Sequence, residues 1–91
     1  MASDIDVNQE ELSKFIAELK TFQQIMADKL QAVERDWLSC EQSWKGEAKD
    51  KFASKFDTTL QALRNALDMG EEAQDWLEKF DKVIRDFEGY N

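Results

Sequence analysis

Apolar residues recur at steps of three and four along the first half of the chain, at Leu12, Phe15, Leu19, Phe22, Met26, Leu30, Val33, Trp37 and Cys40. This is the period of one face of an α-helix, and Ile16 and Ile25 widen that face beyond a narrow seam. Asn8 with Glu11, or Asp6 with Gln9, has the spacing of a capping box, so the first helix is expected over about residues 8–41. A second series runs Phe52, Phe56, Leu60, Leu63, Leu67, Gly70, Ala73, Leu77, Phe80, Ile84 and Phe87, broadened by Thr59, Ala66, Trp76 and Val83. It predicts a helix over about residues 47–87. Acid-before-base pairs at i,i+4 (Glu47/Lys51, Asp75/Lys79, Glu78/Lys82, Asp81/Arg85) mark its expected solvent side. The heptad placement of Trp76 puts it in the core.

Between the series lies a turn over about residues 42–46, where Gly46 suits a tight reversal because it has no Cβ to clash at positive φ. Trp44 stands at the tip, with two readings open: contact with another surface, or a ring folded back over its own turn. Gly70 is the second ambiguity. Asp68 and Glu71 could cap a new helix there, but the apolar phase passes through Gly70 without a slip. This favours one helix, bent at Gly70 or approached closely there by a neighbour.

Helices of these lengths would be roughly 50 and 60 Å long. Two such rods cover only part of two wide apolar stripes. The expected architecture is therefore all-α: a single helix-turn-helix hairpin that dimerises into an antiparallel four-helix bundle. Phe15, Leu19, Phe22, Met26, Val33, Trp37, Phe52, Phe56, Leu60, Leu63, Leu67, Leu77, Phe80 and Ile84 form the stripe expected to build the core and the dimer.

Composition narrows the function. Proline is absent and there are three glycines in 91 residues, too few turn formers for an all-β chain. Twenty acidic residues against twelve basic ones give a net charge of −8, spread evenly over both halves. Such a surface does not neutralise phosphates or lie on anionic lipid, so neither nucleic acid nor stable membrane insertion is expected. No histidine is present, and Cys40 is the single cysteine, expected to be half-buried on its helix. Without a general base, a metal-ligand spacing or a phosphate loop, neither an enzyme nor a cofactor or metal site is expected. Met1 to Glu11 lacks a basic start and an apolar run, so no classical signal peptide is expected.

Trp44-Lys45-Gly46 between two long helical patterns, followed by Ala48, Phe52, Phe56 and the leucines, resembles the WXG family of early-secreted-antigen-like proteins. The resemblance implies a small bacterial hairpin that pairs with itself or with a paralogous hairpin. It implies manufacture in the cytoplasm and export by a type VII secretion system without a cleaved signal. It also implies that Trp44 and Gly46 belong to a surface contacting the partner or the secretion ATPase. The Tyr-x-x-x-Asp/Glu signal of many exported members has no match, since Tyr90 is the only tyrosine and Asn91 follows it. A partner, or another signal, would then serve. The competing reading is an intracellular helical adaptor or chaperone for a helical segment of a larger toxin.

Overall fold

The computed structural model describes residues 7–89, with side chains through Phe87, so Asp6 and Tyr90 lie outside the described residues. Two helices fill it: α1, Gln9–Ser43, and α2, Glu47–Gly89. Asn8 caps α1, its side-chain oxygen accepting from the backbone N–H of Glu11 at 3.0 Å. Glu10 and Glu11 add negative charge to the first turn of α1, where the helix dipole favours it. Among the described residues, no helix is long and apolar enough to cross a membrane.

The helices form an antiparallel hairpin measuring 68 × 19 × 15 Å. Its radius of gyration is 20.1 Å, against about 12 Å for a compact domain of this length. Only Leu12, Leu30, Leu60 and Ile84 are buried apolar side chains among the described residues. The hairpin is a rod whose two helices have one neighbour each.

α2 runs unbroken through Gly70 because α1 comes close there. The Gln23 side chain lies where a Cβ on residue 70 would stand, and its Nε2 donates to the Leu67 carbonyl at 3.4 Å. Gly70 therefore accommodates an interhelical hydrogen bond, against a propensity deficit of about 1 kcal/mol relative to alanine.

The row of α1 facing α2 is Gln9, Ile16, Gln23, Leu30 and Trp37, and the facing row of α2 is Leu60, Leu67, Gln74 and Asp81. Toward the open end polar residues join the buried Leu12 and Ile84 in this seam. Asp81 is buried, accepts from Gln9 Nε2 and pairs with Arg85 Nε at 3.1 Å, and Arg85 donates to Ser13 Oγ at 2.7 Å. The Asp81/Arg85 pair therefore forms, but on the interhelical side and not the solvent side expected of it. Gln9 caps Asp81 from the opposite helix, which the spacing of α2 alone does not reveal.

Candidate functional site

Residues four positions after each inward row lie on one flat face of the hairpin, and in an antiparallel pair these rows meet. There Glu34 pairs with Arg64, Lys20 Nζ lies 3.5 Å from Glu78, and Arg85 reaches Ser13. Glu78 thus takes a partner from α1 as well as Gln74 of its own helix. The Gln74 amide, and then Lys20, hold the Glu78 carboxyl below the usual 4.5, with desolvation opposing them. A depressed folded-state pKa gives stability above the unfolded value that is lost as pH falls through the folded one. The thermal midpoint should accordingly drop as acid is added below 4.5, and Lys20→Ala should flatten part of that drop in a melting series across pH.

The opposite flat face is apolar and open. Phe15 and Phe22 on α1 are 54% and 56% exposed, and Ile25 and Val33 stand beside them. From α2 come Leu63, Phe87 and the Trp76–Phe80 stack, whose ring centroids are 5.3 Å apart. A groove between the helices, lined by Phe22, Met26, Val33, Leu63 and Ala66, runs along this face. Leu19, Met26, Leu67, Leu77 and Phe80 are half-buried, whereas Leu60 and Ile84 are buried between the helices.

Two further residues lie elsewhere than their sequence placement suggested. Trp76 is 64% exposed and not in the core, because its row points far from α1 and a stripe this wide outruns a single neighbour. Cys40 is exposed and not half-buried, because its row, like that of Val33, turns toward the open face.

At the closed end, the loop consists of Trp44, Lys45 and Gly46 alone. Trp44 ends α1, its N–H donating to the Cys40 carbonyl at 3.1 Å, and the Gly46 carbonyl accepts from Asp50 N–H at 3.2 Å to start α2. Gly46 has φ of 120° with open space around its missing Cβ, so the backbone angle and not crowding requires glycine. Gly46→Ala should destabilise the hairpin by about 1–3 kcal/mol in chemical denaturation. A loss below a few tenths would show that the loop tolerates another backbone path.

Trp44 folds back over its own turn. Its ring meets Trp37 edge-on at 6.3 Å and lies 5.8 Å from Phe52, yet it remains 38% exposed. Trp37 also contacts Phe52 and Phe56 at 5.1 and 5.5 Å, so four rings brace the tip. The periodic pattern placed Trp37, Phe52 and Phe56, but the gathering of Trp44 with them around Trp37 needed the loop geometry.

A family model described as "proteins of 100 residues with WXG" matches residues 4–89. No curated protein matches the chain, and neither does any solved structure. The match covers nearly the whole chain, and the protein belongs to this WXG family.

Proposed function

From that membership we propose that the chain is a substrate or co-substrate of a type VII secretion system, acting through protein–protein contact. The family is one of small bacterial proteins associated with this route, whose members typically pair as hairpin dimers. The observation that carries the reading is the phenylalanine face. A rod with so few buried side chains and so many exposed apolar ones along one face needs a second layer, and a second hairpin supplies one of matching length.

The partner in this reading is another copy of the chain. A two-fold axis near the middle of α1 would lay each hairpin along the full length of the other. The pairing leaves the braced tip, with Trp44 and Gly46, at the ends of the bundle, where the secretion ATPase would meet it. Deleting that ATPase from a producing strain should move the protein from medium to cells. Equal amounts in the medium with and without the ATPase would refute the assignment.

A further inference from the structure

We propose that the ion-paired face carries a second docking groove near the tip, which receives a basic amphipathic helix from a different protein. The floor of the groove is Trp37, Leu60 and Leu38, and Leu38 is 59% exposed on the side of α1 away from the phenylalanine face. Its rim holds three carboxylates, Glu34, Glu41 and Asp57, against one cation, Arg64, which is already paired with Glu34.

The register of the hairpin gives the rim its meaning. The alignment that sets Arg85 on Ser13, Glu78 on Lys20 and Arg64 on Glu34 continues one heptad toward the tip. There it sets Glu41 against Asp57, acid facing acid. Lys49, 3.2 Å from Glu41, answers one of the two carboxylates. Ala27 faces Glu71 in the same alignment, so Glu41 and Asp57 are its one acid-against-acid pair, and Leu38 is exposed beside them.

Charges flanking an apolar seam select partner and register. A helix with leucines one turn apart and lysine or arginine on either side would supply both missing elements. A hairpin seated on the phenylalanine face leaves this groove uncovered, so the proposal goes beyond pairing and does not depend on it.

The test is an NMR titration of the full, isotope-labelled chain at about 0.15 M salt. The probe is a synthetic leucine–lysine amphipathic peptide of about 18 residues, long enough to hold a helix, with a leucine–glutamate peptide as its counterpart. Amide shifts should gather around Leu38, Glu41, Asp57 and Gln61. Asp57→Lys should weaken binding about tenfold, and Leu38→Ala, which leaves the charge unchanged, should weaken it severalfold. The glutamate peptide should not bind.

Absence of binding, shifts spread along the rod or on the phenylalanine face, or indifference to Leu38→Ala would each overturn the proposal. Light scattering on the same variants keeps the two readings apart. If Asp57→Lys altered the oligomeric mass of the chain, the groove would belong to a second copy and the proposal would fall. A failed titration with an unchanged mass would leave the phenylalanine-face reading intact.

Discussion

Replacing Phe15 and Phe22 together by glutamate is expected to turn a dimer into a monomer. Both rings are more than half exposed in the hairpin, so the substitutions remove little that holds α1 to α2. In a bundle, each ring would be covered by the other hairpin. Burying a phenylalanine contributes about 1.5–3 kcal/mol, and a carboxylate in its place must be desolvated without a partner. With two sites per chain and a two-fold axis duplicating each change, dissociation should strengthen by more than about a hundredfold. Light scattering should then give 10.6 kDa for the variant at concentrations where the wild type gives twice that. A variant that stays dimeric would move the pairing surface off this face. The opposite face supplies a control, because Leu38→Glu should leave the mass unchanged.

The second large effect is expected at Trp44. Trp44→Ala should reduce export at least about tenfold while leaving the helices in place. The ring contacts Trp37 and Phe52 but stays 38% exposed, so its loss should destabilise by about 1–3 kcal/mol, below the 3–5 kcal/mol of a buried tryptophan. Circular dichroism should show full helicity at growth temperature. Light scattering on Trp44→Ala should still give the mass of the wild type, which separates a loss at the tip from a loss of pairing. Export of Trp44→Ala at the wild-type level, from a strain that exports the wild type, would remove the tip from the recognition surface.

The hairpin itself was legible in the sequence. The three-four stepping on both sides of Trp44-Lys45-Gly46, together with the absence of proline, leaves two long helices as the economical solution. Periodicity names the apolar stripe but does not say which third of it a single neighbour covers. Leu60 and Phe22 look alike in the pattern, and the structure buries the first and exposes the second. The polar seam was illegible for a different reason. Asp81 reads as a solvent residue by its type and by its i,i+4 arginine. Only the antiparallel register, which brings Gln9 and Ser13 beside that pair, shows that it ties the open end together. Gly70 stood as a bend or a close approach, and Gln23 reaches the Leu67 carbonyl beside it. At Trp44 the sequence offered inward packing or outward contact as alternatives, and the three-residue loop packs the ring on Trp37 and Phe52 while leaving it 38% exposed.

Seating of a second copy on the phenylalanine face is tested most directly by the molar mass of the purified protein, by light scattering, over about a hundredfold range of concentration. The expected result is a constant mass of twice 10.6 kDa. A constant 10.6 kDa, with well-dispersed side-chain signals and a cooperative melt, would contradict it by showing that the hairpin is stable with this face in water.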